Sequence, residues 1–379
     1  MGIYMKYKLV IITLICNLFL TSCWDQRLLK ESRLVYSAGY DLAEDNNVRV
    51  TAVIKTNSQG GSDPSQVKST NVIVNASGKT PGDAKLKVTR KVSGDFATNK
   101  TRVLLLGNEL AKQDIYPIFD IVYRDPRSSL GAKVIVAKGQ AEEILKLNKV
   151  EATLVSEEIL NLVTTAESHT IVPIENVQTI CTIMFDPGED IMLPLIEIVD
   201  EKLIDISGLA LFNEHKYTGY NLLDDEPTLL LLFKNRMEKF ARFNIEVSPK
   251  EKDVRERYIS IQVKKNDPEM KIEVSKDNKI TVKLNLKLEV DTLEYAHDKL
   301  DSKKEIDKLN KELSKQLTKK AEKVIKTLQE SNCDALGVGR QLISFHPDVW
   351  KKLDWNKDYK KITIKPKVEV RIDGSGILK

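Results

Sequence analysis

The stretch KIEVSKDNKITVKLNLKLEV, residues 271–290, decides the fold. Ile272 and Val274, then Ile280, Val282, Leu284, Leu286, Leu288 and Val290, take every second position, with Lys, Glu, Asn and Thr among the residues between. A strand turns successive side chains to opposite faces, so this alternation predicts two strands with one buried and one wetted face. Asp277-Asn278 supplies the turn of an antiparallel hairpin. The period then changes: Leu300, Ile306, Leu309, Leu313, Leu317, Ala321, Val324 and Leu328 recur mostly at steps of three and four, the spacing of a helix with one apolar stripe. That stripe is expected to lie across the sheet. Ile362, Ile364, Val368, Val370 and Ile372 alternate again, and Pro366, which cannot donate to a ladder, places this run at an edge or a break. Residues 205–379 are thus expected to form a C-terminal α+β domain of antiparallel strands and one dominant helix.

Working back along the chain, Val48, Val50, Ala52 and Ile54 alternate with polar partners, and Val72 and Val74 begin a second strand. Residues 57–69 (NSQGGSDPSQVKS) between them read as an exposed loop, the long tip of a hairpin. Thr80-Pro81-Gly82-Asp83 is a helix start, with Thr80 as cap, for a helix reaching about Val92. Residues 102–106 and 132–137 are short apolar runs that suit buried strands. Ile115, Ile118, Phe119 and Val122 recur at helical spacing, and a further helix is expected over 141–147. Residues 151–163 look helical, and residues 176–199, with Pro187 and Pro194, look extended and loop-rich. Strand and helix in alternation imply a mixed α/β region over 23–200, divided into two subdomains, so the fold class is α+β and multi-domain.

At the N-terminus Lys6 and Lys8 precede an apolar run, residues 9–20, that ends Leu20-Thr21-Ser22-Cys23. A basic start and a short apolar core are the marks of a secretory signal. The run is about a dozen residues, where a membrane-spanning helix needs about 20. Small residues just before a cysteine resemble a lipobox, so residues 1–22 are expected to be removed and Cys23 to carry lipid. Two or three acyl chains make a stable anchor. Trp24, beside it, suits the membrane interface.

Loss of Lys6 and Lys8 lowers the formal charge from +4 to about +2, with both signs spread along the chain. Nucleic acid is disfavoured, because its binding usually needs a clustered basic surface. Lys315, Lys319, Lys320 and Lys323 read as the wet face of the long helix. Cys181 and Cys333 remain beyond the anchor, and two buried free thiols is favoured over one disulfide.

No constellation of catalytic residues stands out. Gly337-Val338-Gly339-Arg340 follows a helix and lacks the third glycine of a dinucleotide site, so a tight turn at a helix end explains it better. His169, His215, His297 and His346 lack metal-ligand spacing, and no serine sits in a nucleophile elbow. No cofactor or metal is expected. Trp350 and Trp355 bracket a charged segment and read either as a partner-docking patch or, preferably, as rings packing the last helix onto the sheet.

Several stretches, in order, resemble one family. These are Cys23-Trp24-Asp25-Gln26-Arg27; Ser37-Ala38-Gly39-Tyr40-Asp41; residues 102–111 (RVLLLGNELA); Tyr123-Arg124-Asp125-Pro126; Gly208-Leu209-Ala210-Leu211-Phe212 with Gly219-Tyr220; and residues 332–355, with Gly337-Val338-Gly339-Arg340 and Trp350-Lys351-Lys352-Leu353-Asp354-Trp355. Together they are similar to the Ger(x)C lipoproteins, the C subunits of nutrient germinant receptors. That resemblance implies three domains of mixed sheets and helices. It also implies a noncatalytic lipoprotein on the outer face of the spore inner membrane, working beside A and B subunits and meeting the small-molecule germinant only indirectly. Two other readings compete: a solute-binding lipoprotein that captures the germinant, and an envelope enzyme acting on peptidoglycan.

Overall fold

A computed structural model describes residues 4, 7–8, 32–59, 67–147, 149–150, 153–200, 203–277, 279–297 and 300–374. Cys23 and the rest of residues 9–31 lie outside these, so the signal and anchor remain expectations.

The chain opens with the antiparallel strands β1 (Ser32–Leu42), β2 (Val48–Gln59) and β3 (Val67–Gly78), then helix α1 (Pro81–Thr89). Strands β4 (Asp95–Ala97) and β5 (Val103–Gly107) both lie parallel to β1. Next come α2 (Tyr116–Arg124), β6 (Lys133–Ala137), α3 (Ala141–Lys146), a small hairpin of β7 (Lys149–Val150) and β8 (Thr153–Leu154), α4 (Val155–Ser168) and α5 (Val177–Met184). Strands β9 (Met192–Asp200), β10 (Leu203–Asn213) and β11 (Lys216–Leu222) complete a sheet ordered β11-β10-β9-β6-β5-β1-β2-β3, with β4 beside the start of β1. Its parallel centre is covered on both faces, which is why β5 and β6 read as unbroken apolar runs rather than alternating ones. Helices α1, α2 and α5 cover one face. Helices α3 and α4 and the C-terminal unit cover the other.

That unit contains α6 (Glu226–Phe233), β12 (Arg242–Glu246), β13 (Tyr258–Val274), β14 (Ile280–Tyr295), α7 (Lys303–Ser331), α8 (Val338–Phe345) and β15 (Thr363–Gly374). The second sheet is ordered β12-β13-β14-β15. The hairpin of residues 271–290 forms as expected, with Val274 opposite Ile280, and β13 extends it back to Tyr258. Helix α7 buries Leu309, Leu313, Leu317, Ala321, Val324 and Leu328, the stripe the sequence marks. One apolar core runs from Leu105 and Leu209 of the first sheet through α6 and α7 to Val282 and Leu286 of the second.

Several expectations change. Residues 176–199 are not loop-rich: Asn176 and Thr179 form a reciprocal capping box for α5, and Pro194 sits inside β9, one residue before its pairing with β6 begins. The loop expected over 57–69 is partly ladder, since Asn57 to Gln59 pair with Ser69 to Val67. Helix α4 starts at Val155, not at 151. The last strand is parallel to β14, because α7 carries the chain back the length of the sheet before β15 begins. Thr80 does cap α1, its hydroxyl accepting from the Asp83 amide at 3.1 Å. Pro366 lies on an edge strand.

Candidate functional site

A buried polar cluster lies where the two units meet. Asp190 precedes β9 and Asp334 follows α7. Their backbones bond to each other, the Asp190 amide donating to the Asp334 carbonyl at 3.1 Å. The Asp190 carboxylate then accepts from the Asp334 amide at 2.7 Å and the Glu214 amide at 2.8 Å. Asp334, 1% exposed, caps α8: it accepts from the Val338 amide at 2.9 Å, the Gly339 amide at 2.7 Å and the Trp355 indole at 3.1 Å. Two carboxylates so placed tie four backbone amides from three segments into one knot.

Charge surrounds the knot in pairs. Arg340 reaches Asp186 and Glu189, the latter at 2.9 Å, and Lys234 at the end of α6 bonds Glu189 at 2.7 Å and the Ala335 carbonyl. Both Lys234 and Glu189 are largely buried, so each needs the other. Asn213 donates to the Asn332 carbonyl at 2.8 Å. Burial pushes Asp190 up to about 6 and Asp334 up to about 7, against the downward pull of the amides that bond them. Burial also raises the Cys333 thiol and the Tyr359 phenol.

The backbones touch here as well. A Cβ on Gly188 would lie 2.3 Å from the Arg340 nitrogen, and one on Gly339 would lie 2.8 Å from the Gly188 Cα. The Arg340 amide donates to the Gly188 carbonyl at 2.9 Å across that contact. Gly337 starts α8 in the left-handed region at φ 72°. Gly337 and Gly339 therefore serve a tight turn and a close packing contact at the entrance of a helix.

Trp350 and Trp355 are brought together, with ring centroids 5.4 Å apart, and Trp355 meets Tyr359 at 5.5 Å. Both indoles pack partly buried against the shared core. The four histidines are not brought together: His169 meets Phe240, His215 meets Tyr116 and Asp114, and His297 meets Tyr295. Cys181 and Cys333 are buried free thiols. Among the described residues no group of three His, Cys, Asp or Glu side chains is placed to hold a metal, and no helix is long and apolar enough to cross a membrane.

Sequence reasoning missed Asp190, Asp334 and Gly188. Asp334 lay inside the stretch 332–355 singled out by resemblance, but a cap that reaches four and five residues ahead has no short motif. Asp190 follows Asp186-Pro187-Gly188-Glu189, which reads as an ordinary turn.

Comparison with known proteins shows the same two-part organisation. Residues 25–198 match the model for the spore germination protein N-terminal domain, and residues 207–376 match that for the spore germination B3/GerAC-like C-terminal domain. The chain belongs to the Ger(x)C family of spore germination proteins. Among its relatives, spore germination protein GerQC of Bacillus cereus is 23% identical over 97% of this chain and 98% of its own length. Spore germination protein KC of Bacillus subtilis (strain 168) is 24% identical over 98% of this chain and 96% of its own. The crystal structure of the GerBC protein shares the fold with a TM-score of 0.58 at 16% identity, covering 89% of this chain and 96% of that one.

Proposed function

We propose that this chain is the lipoprotein C subunit of a nutrient germinant receptor, a noncatalytic part that acts through contacts with A and B subunits. It is held by lipid on Cys23 at the outer face of the spore inner membrane. The observation that carries this reading is the match to relatives named as spore germination proteins along almost the whole of both chains. A role belonging to such a protein as a whole has its full counterpart here. The knot at Asp190 and Asp334 supports it, because it spends its carboxylates on backbone amides and so fixes one shape for a partner to dock against.

The test is made in sporulating cells of the organism that carries the chain. Cys23→Ala is expected to move the protein from the spore membrane fraction to the soluble fraction and to blunt the response to a nutrient. Crosslinking of the unaltered chain is expected to recover A- and B-type subunits. A Cys23→Ala chain that stays on the membrane, with no receptor subunits in the crosslinked material, would overturn the proposal.

A further inference from the structure

The first sheet contains a hollow that the knot does not use. Ala38 of β1 and Ala52 of β2 are cross-strand partners, and the next pair on the same face is Tyr40 and Val50. Two alanines facing each other leave the sheet low where helices α1 and α2 pass over it. The result is a chamber of about 40 Å³, lined also by Val35 and Leu104. A water occupies roughly 10–15 Å³ on this scale, so the space suits about three heavy atoms.

The chamber is not sealed. Lys85, Phe96, Thr98 and Ile121 line both it and an outer vestibule of about 770 Å³. Lys85 stands at the shared wall and bonds Asp125 at 3.0 Å. The route inward therefore passes a paired charge, an aromatic ring and a hydroxyl before it reaches an apolar pocket. Tyr40 lines that pocket and is 8% exposed, yet its hydroxyl makes no hydrogen bond among the described residues. The hydroxyl oxygen is not fully buried, so a ligand oxygen can reach it as a hydrogen-bond partner.

We propose that this chamber and vestibule form a binding site for a short-chain aliphatic molecule carrying a hydroxyl or carbonyl oxygen, the hydrocarbon filling the space over Ala38 and Ala52 and the oxygen meeting the Tyr40 hydroxyl. The buried part of the ligand is uncharged. Desolvation pushes the Tyr40 phenol up to about 12, and a buried ion would face the same penalty. Any polar remainder of the ligand meets the Lys85–Asp125 pair outside. This site goes beyond the receptor-subunit reading and stands apart from it, since it needs no other subunit.

The probe is ethanol, whose three heavy atoms match the chamber, titrated against the full chain and followed by saturation-transfer NMR. Saturable binding is expected. Tyr40→Phe is expected to weaken it about three- to tenfold, the range of one net hydrogen bond. Ala52→Leu, which fills the chamber, is expected to abolish it. If a melting curve shows that Ala52→Leu does not fold, Ala38→Val replaces it as the filling variant. Signal that never saturates identifies a packing void and overturns the proposal. So does saturable binding that ignores either Tyr40→Phe or the filling variant. Failure here leaves the membrane and crosslinking results for Cys23 untouched, so the two proposals fall separately.

Discussion

Gly188 touches Arg340 so closely that a single methyl group has nowhere to go, because the obstructing atom is a backbone nitrogen 2.3 Å away and not the end of a flexible side chain. Gly188→Ala must therefore push α8 off the loop before β9 and stretch the bond from the Arg340 amide to the Gly188 carbonyl. Overpacking of this kind costs about 1–3 kcal/mol, and urea denaturation should show a midpoint lowered accordingly. Asp334 makes a second prediction at the same scale. Its folded pKa is raised, to about 7 from 3.8, so the folded protein holds this proton more tightly than the unfolded chain does. The associated stability is fully present below about pH 4 and is lost as pH rises through about 7. Urea midpoints should fall between pH 5 and pH 8. Asp334→Asn cannot ionise; it should be less stable overall, because an amide nitrogen replaces one accepting oxygen, but its midpoint should vary less over that window. An equal pH slope in both proteins would refute the assignment to Asp334. The motif residues behave alike: Asp41, within the Ser37 to Asp41 stretch, caps α3 through the Ala141 amide at 2.7 Å and the Glu142 amide at 2.9 Å. What the resemblance marks at Asp41 and Asp334 is architecture.

At the scale of elements, β15 shows how an edge is closed. Its outward amides at Val368, Val370 and Ile372 donate to Thr318 Oγ1 at 3.0 Å, Ser314 Oγ at 2.8 Å and Asn310 Oδ1 at 2.9 Å, three side chains one helical turn apart along α7. An open edge is a template for pairing with another chain, and here a helix covers it. Ser314→Ala leaves the Val370 amide without its partner and should cost about 1–3 kcal/mol. The combined change of Asn310, Ser314 and Thr318 to Ala should add concentration-dependent association by sedimentation; a triple variant that stays monomeric at high concentration counts against edge protection. These residues show where legibility stops. The apolar stripe of α7 and the alternation of β14 were readable because burial writes a period into the sequence. Asn310, Ser314 and Thr318 have the same spacing as the stripe, yet they look like any wetted helix face, since only the fold decides which strand lies beside them. For the same reason α5 reads as loop in the sequence: Pro187 and Pro194 follow it closely, and its eight residues, Val177–Met184, are too few to set up a clear period. Trp350 and Trp355 were legible as packing residues, while Asp190 and Asp334, whose partners are backbone amides, were not.

For the whole molecule, two domain models match the chain with their border between 198 and 207, while the structure carries the first sheet across that border. Strands β10 and β11, which follow it, complete the sheet begun by β1, and their inner residues Leu209, Leu211 and Leu222 belong to the same core as α7 and the second sheet. A chain cut near residue 205 would take β10 from β9 and leave those leucines, each fully buried in the intact protein, without cover. Burying a Leu contributes about 1.5–3 kcal/mol, so the three together rival a large part of the 5–15 kcal/mol that holds an ordinary domain folded. The knot adds to this coupling, because Asp190 loses its bonds to the Asp334 backbone and the Glu214 amide once the units part, while Asp334 keeps only its bonds within the C-terminal unit. The full chain is thus expected to unfold in one cooperative step, with calorimetric and van't Hoff enthalpies in agreement, and residues 205–379 expressed alone should be poorly soluble or expanded. Two separated transitions in the full chain, together with a compact and soluble C-terminal piece, would show that the shared sheet and core carry little of the stability assigned to them here.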